Sequence, residues 1–112
     1  MSPNARTVAW YQKQGFLAVT VEFWSPFPKP FGKRHDLLGV FDQLVLKPGG
    51  EIWGIQSTTE SNVGARIKKM GLSEPLKQWR GLGGHAAVVG WAKRSGPDIK
   101  RKTWQPKERI LF

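Results

Sequence analysis

Two oxygen-bearing side chains, Asp42 and Gln56, flank the turn signal Pro48-Gly49-Gly50 at equal separations along the chain. If that turn is a three-residue hairpin loop with glycine in the left-handed conformation, Lys47 faces Glu51 as an opposite-charge pair. Counting back then sets Asp42 opposite Gln56. Directly opposed side chains have Cβ atoms about 4.5–5.5 Å apart, close enough for both to meet one cation or one water. A four-residue loop would instead send them to opposite faces. A carboxylate and an amide oxygen held this way are ligands for a hard divalent cation, Mg²⁺ or Mn²⁺, with a nearby backbone carbonyl completing the protein's share. The plainer alternative for Asp42 is a carboxylate hydrogen-bonded at a strand end. Glu22, on a neighbouring strand, is the candidate third oxygen donor, unless it is an ordinary surface or salt-bridged glutamate. Asp36 suits less well, because six residues of straight strand span about 20 Å. Only a bend at Gly39 would bring it back.

The elements that must position these groups can be read along the chain. Ser2 before Pro3 marks a helix start and Gly15 a stop, predicting a helix from about Pro3 to Gln14. Phe16 to Trp24 alternates, with Leu17, Val19, Val21 and Phe23 on one side and Ala18, Thr20, Glu22 and Trp24 on the other, which predicts a strand. Ser25 to Arg34 holds three prolines and cannot continue a central strand. It is a loop that either covers the core edge or touches nucleic-acid backbone and bases. His35 to Lys47 and Glu51 to Thr58 then form the hairpin, with Asp42 on the face that carries Leu38, Val40, Leu44 and Leu46. Ser61 to Met70 has helical spacing of Val63, Ile67 and Met70 beside Arg66, Lys68 and Lys69. Ser73 caps a further turn or two over Leu76 to Arg80, and His85 to Ala92 is a final strand. This order predicts one α/β domain with a mixed central β-sheet flanked by helices.

A chain of 112 residues has room for one modest core and excludes a second domain. Its 18 Lys and Arg against 8 Asp and Glu give a formal charge of +10, the electrostatic footprint of a polyanion binder, with DNA the leading partner. The basic residues nearest the predicted site are Lys33 and Arg34 in the loop and Arg66, Lys68 and Lys69 on the second helix, the latter either a solvated face or a track for a phosphate backbone. Further cations (Lys93, Arg94, Lys100, Arg101, Lys102, Lys107 and Arg109) crowd the last twenty residues, broken by Pro97 and Pro106. That tail is expected to wrap the domain or stay partly mobile. The absence of cysteine removes disulfides and thiolate zinc sites, and His35 and His85 match no ligand spacing. Without a signal-peptide core, a spanning apolar run or a basic amphipathic segment, the expectation is a cytoplasmic protein that avoids membranes.

The stretches Asp36-Leu37-Leu38-Gly39-Val40-Phe41-Asp42, Ile52-Trp53-Gly54-Ile55-Gln56-Ser57-Thr58 and Asn62-Val63-Gly64-Ala65-Arg66-Ile67-Lys68-Lys69 together resemble the PD-(D/E)XK nuclease superfamily, which includes archaeal and phage Holliday junction resolvases. They look most like a subgroup of small phage and environmental proteins within it. The resemblance covers about Pro3 to Ala92 as element order. It implies a restriction-endonuclease-like αβββαβ core over residues 1–94, with a basic tail over 95–112 that packs on or extends the domain. It also implies an endonuclease dependent on a divalent metal, acting on duplex or branched DNA, with a homodimer where two symmetric cuts are made. If the gene is phage-borne, the compartment is the host cytoplasm.

In that family the first strand carries a metal-binding Asp and the second Glu-x-Lys. This chain has Asp42, but Gln56 and Thr58 stand where Glu and Lys are expected. The implied roles are metal binding for Asp42, Gln56 and Glu22, water positioning for Thr58, and contact with the scissile phosphate for Lys68 or Arg66. Gln56 withdraws a negative charge from the metal site, and Thr58 leaves a missing cation to be supplied by Lys68, Arg66 or Lys33. Two other functions stay open: a catalytically inactive nucleic-acid-binding module of the same fold, and a basic structural or assembly protein of a phage particle or RNA complex.

Overall fold

The Ser2 hydroxyl accepts a hydrogen bond from the Ala5 N–H at 3.1 Å, and Pro3 takes the first helical position, so helix α1 runs Pro3–Lys13. Gly15, at φ 88°, turns the chain off the helix. The computed structural model describes residues 1–95 and 101–111. After α1 come strands β1 (Leu17–Thr20), β2 (Phe23–Ser25), β3 (Lys33–His35), β4 (Gln43–Lys47) and β5 (Glu51–Thr59). A 3-10 turn (Glu60–Asn62) leads into α2 (Val63–Met70) and α3 (Glu74–Gly81), followed by β6 (His85–Arg94) and β7 (Thr103–Leu111). Five strands form one sheet in the order β1-β4-β5-β6-β7, while β2 and β3 pair separately. Only β5 and β6 run parallel among the described strands. A parallel pair needs a crossover, and α2 with α3 provides it. The fold is therefore a single α/β domain with a mixed sheet.

Alternation along the strands builds a core on each face. Ala87, Val89 and Trp91 of β6 pack with Val45, Trp53 and Ile55 beneath Tyr11 of α1. Ala86 and Val88 point the other way, against Val63 and Met70 of α2 and Leu76 of α3. Each fully buried Val, Ile or Phe contributes roughly 1.5–3 kcal/mol. The hairpin follows the register read from charge: Lys47 pairs with Glu51 across Pro48-Gly49-Gly50, with Gly49 at φ 88° and Gly50 at φ 82°.

Three expectations are corrected. The strand expected from Phe16 to Trp24 divides: β1 pairs with β4, whereas β2 leaves the sheet to pair with β3. Its buried side is that of Ala18, while Leu17 is 61% and Val19 44% exposed. The short connection from α1 lays that helix over the small Ala18 side, and on the opposite face α2 and α3 pack against β6, which is not a neighbour of β1 in the sheet. Next, His35 to Lys47 is not one strand. Leu38 (φ 60°) and Gly39 (φ 69°) make a tight turn in which the N–H groups of Val40 and Phe41 both donate to the Leu37 carbonyl. A left-handed leucine costs roughly 1–2 kcal/mol, so the surrounding contacts hold it there. Last, the strand at His85 to Ala92 is not the final one, because the basic tail extends the domain with a further strand. β7 pairs with β6 from Arg94–Thr103 to Ala86–Leu111, and Pro106 is tolerated because β7 is an edge. The Tyr11 hydroxyl donates to Glu108, and Arg6 lies 4.3 Å from the Trp104 ring centroid, tying β7 to α1. Pro97 and Lys100 lie outside the described residues.

Candidate functional site

The paired register of β4 and β5 ends at Gln43–Ile55, one residue short of Asp42 and Gln56, and the Asp42 N–H reaches Ile55 instead of Gln56. The two are thus not a paired couple of the ladder, yet both line one cleft. Three hydrogen bonds to backbone groups of neighbouring strands fix Asp42 where β4 begins, two through its main chain and one through its carboxylate. Its N–H donates to Ile55 O at 2.8 Å, its carbonyl accepts from Val21 N–H at 2.9 Å, and its Oδ2 accepts from Ser57 N–H at 3.0 Å. Gly54 contributes by having no side chain: a Cβ there would lie 2.5 Å from the Phe41 ring, so Phe41 seats on the β5 backbone and holds its neighbour Asp42 at the cleft.

The cleft has a volume of about 610 Å³. Its acidic lining is Asp42, Glu22 and Asp36, and its neutral polar lining includes Gln56 and Thr58. The turn at Leu38 and Gly39 returns Asp36 to the cleft, which the straight-strand estimate did not allow. Arg34, Arg66 and Lys69 bring positive charge to the same space. Lys33 and Lys68 are exposed and are not among the residues that line it. Lys33 instead pairs with Ser25 in the β2–β3 ribbon.

Burial pushes the Asp42 carboxyl up to about 7. The Ser57 N–H pulls it back, while the carboxyls of Glu22 and Asp36 push it further up. Glu22 lies close enough to hydrogen-bond a protonated Asp42. Glu22 is itself held twice: Oε2 accepts from Asn4 Nδ2 at 2.7 Å, and Oε1 meets Arg34 Nε at 2.8 Å. A carboxyl poised near neutrality beside a second one is the situation in which a proton or a cation is taken up.

Gln56 is only 9% exposed. Its Nε2 donates to the Val40 carbonyl at 2.6 Å, which fixes the orientation of the amide and leaves Oε1 buried with no hydrogen-bond partner among the described residues. Such an acceptor is costly to leave bare. Two carboxyls and an unpartnered amide oxygen are hard oxygen donors, and they fit a cation that keeps most of its waters, as Mg²⁺ does. No group of three His, Cys, Asp or Glu side chains suited to a metal is found among the described residues, so the donor set depends on the Gln56 amide.

Two members were invisible in the sequence: Asn4 reaches Glu22 from the first turn of α1, and Ser57 anchors Asp42 through its backbone. Arg34, read from the sequence as a nucleic-acid contact, pairs with Glu22. Behind the site, the Ser57 hydroxyl lies 2.7 Å from Thr7 Oγ1 and 2.6 Å from Gln43 Oε1, and Trp91 Nε1 donates to Thr7. This buried polar knot joins α1, β4, β5 and β6. Neutral Ser, Thr and Gln give no sequence signal for it.

No family model matches this chain, and comparison with curated proteins and with solved structures gave no match. No helix among the described residues is long and apolar enough to cross a membrane.

Proposed function

We propose that this domain binds DNA across the Asp42 cleft and cleaves it as a PD-(D/E)XK-type endonuclease dependent on Mg²⁺ or Mn²⁺. The observation that supports this reading is the set of Asp42, Glu22 and Gln56 lining one cleft rimmed by Arg34, Arg66 and Lys69, with the buried Gln56 amide oxygen lacking a hydrogen-bond partner among the described residues. Asp42, Glu22 and Gln56 would hold the metal, which when bound polarises a phosphoryl oxygen and makes its water a nucleophile. Arg66 and Lys69 take the phosphates on either side, and the Thr58 hydroxyl orients water. In this reading Arg66 and Lys69 of the cleft lining supply the charge missing at Thr58, and Lys68 and Lys33 belong to the outer binding surface. The cytoplasmic setting, a homodimer on branched DNA and a phage origin are parts of the same proposal.

A binding module without catalysis is the second reading. It is favoured by the Gln56 amide bonded to Val40 and by Arg34 neutralising Glu22, both of which weaken a metal site. The acidic lining around Asp42 argues against a purely structural basic protein. The test is incubation of the full chain with labelled linear and branched DNA in Mg²⁺, Mn²⁺ or EDTA. Products with either metal and none in EDTA support the nuclease; intact DNA throughout, with retained binding, supports the module.

A further inference from the structure

The β2–β3 ribbon leaves the sheet as an arm whose aromatic side chains have stayed outside the core. Phe23 is 61% exposed, Trp24 62%, Phe27 62% and Phe31 81%. Burial would stabilise each of them, so four such rings on one arm of a small domain form a surface with a use of its own. Two of the rings are held in place. The Phe23 ring stacks on His35 with centroids 4.8 Å apart and planes at 15°, and the Trp24 ring lies against the Gly32 backbone, where a Cβ would come within 2.5 Å of it. From Phe23 to His35 the sequence contains Lys29, Lys33 and Arg34 and no acid. Trp24 pairs directly with Arg34, so both side chains lie on one face of the ribbon, and Arg34 lines the cleft.

Resting on the nucleic-acid reading of the cleft, we propose that this arm is a base-stacking platform and that the substrate class is nucleic acid carrying unpaired bases beside the site of attack. Every base has a π-face, so flat aromatic rings bind single strands with little regard to sequence, and the arm's cations match the phosphates between the bases. The bases of an intact duplex are already stacked and offer the rings nothing. An apolar protein partner would not call for Lys29 and Lys33 among the rings; Arg34, the arm's other cation, is paired with Glu22 at the cleft.

The experiment measures binding of the full chain to a labelled oligo-dT and to a blunt duplex of equal length, by fluorescence anisotropy at one salt concentration. Trp24→Ala, Phe27→Ala and Phe31→Ala should each weaken oligo-dT binding about fivefold or more, with duplex affinity unchanged within about twofold. Trp24→Phe should restore most of the loss. Phe31 is the most exposed of the four, so Phe31→Ala gives a folded variant whatever Trp24→Ala does. Oligo-dT affinity that survives all three substitutions, or falls only in step with duplex affinity, overturns the arm and leaves the cleft reading standing. Failure of the wild type to bind either oligonucleotide at low salt overturns both. Binding to phosphatidylserine vesicles that is lost with Trp24→Ala, while oligo-dT binding is not, would make the arm a membrane anchor and also overturn the proposal.

Discussion

The backbone N–H of Ser57 donates to the Asp42 carboxylate at 3.0 Å, across a strand pair whose ladder has just ended. The central strand thus holds its partner's acid by main chain alone, while the Ser57 side chain on the other face joins the knot with Thr7 and Gln43. Position of the acid and packing of α1 are coupled through one residue.

The raised Asp42 carboxyl makes stability fall as pH rises. In the folded chain it holds its proton to about 7, against an ordinary 3.8, so its contribution is fully present below about pH 4 and lost as pH climbs through 7. Asp42→Asn should remove this dependence. In urea titrations with EDTA, we expect the variant to gain on wild type by about 1–3 kcal/mol between pH 4 and pH 8, after allowance for partial solvent screening. Parallel stability curves would show that burial does not act on Asp42 as described.

The single tyrosine offers a second titration. Burial first, then the hydrogen bond to Glu108 and the charge of Glu108, raise the Tyr11 hydroxyl far above its ordinary 10. Absorbance at the tyrosinate band should therefore stay flat through pH 10 and rise only as the protein unfolds. Stability from this group is present below pH 10 and is lost at higher pH, since the unfolded chain ionises first. Tyrosinate forming near pH 10 in the folded protein would contradict the contact that fastens β7.

Close approach of Phe41 to Gly54 predicts an intolerant position. Gly54→Val should lower stability by roughly 1–3 kcal/mol in urea denaturation, because the ring must shift to admit the side chain. It should also weaken DNA binding more than its stability cost explains, since Asp42 follows Phe41. A neutral effect on both would mean that the Phe41 seat does not position the acid.

The hairpin was legible because two glycines mark a tight turn and the Lys47–Glu51 charge pair fits the three-residue loop that forms, with the four-residue loop as the alternative. The helix starts at Ser2 and Ser73 were legible because a hydroxyl three residues before an amide is a local signal. What escaped was tertiary. Leu17 and Val19 look like a core face by residue type, yet α1 covers the Ala18 side. Nothing in Leu38 announces a left-handed backbone, so Asp36 looked too distant. β7 resembled a tail because its cations and Pro106 hide the pairing with β6, which only the completed sheet edge can supply. Asp42, Gln56, Glu22 and Thr58 were read from the sequence and line one cleft; Arg34's partnership with Glu22 depends on the ribbon leaving the sheet, which alternation alone did not foretell.

Salt dependence separates the cations. Arg66→Gln and Lys69→Gln should each reduce the slope of log K against log salt by about 0.9 on duplex DNA if they meet phosphates in the cleft, whereas Lys68→Gln should change it less. Equal effects of all three would indicate a diffuse helix face with no defined path through the cleft.

The most direct measurement pairs cleavage with binding for wild type and Asp42→Ala on the same DNA. With Mg²⁺ or Mn²⁺, the wild type should cut and the variant should not. In EDTA, the variant should bind at least as tightly as wild type, because a negative charge has left the phosphate path. Cleavage by wild type that persists in EDTA, or cleavage retained by folded Asp42→Ala, would contradict a metal held at Asp42.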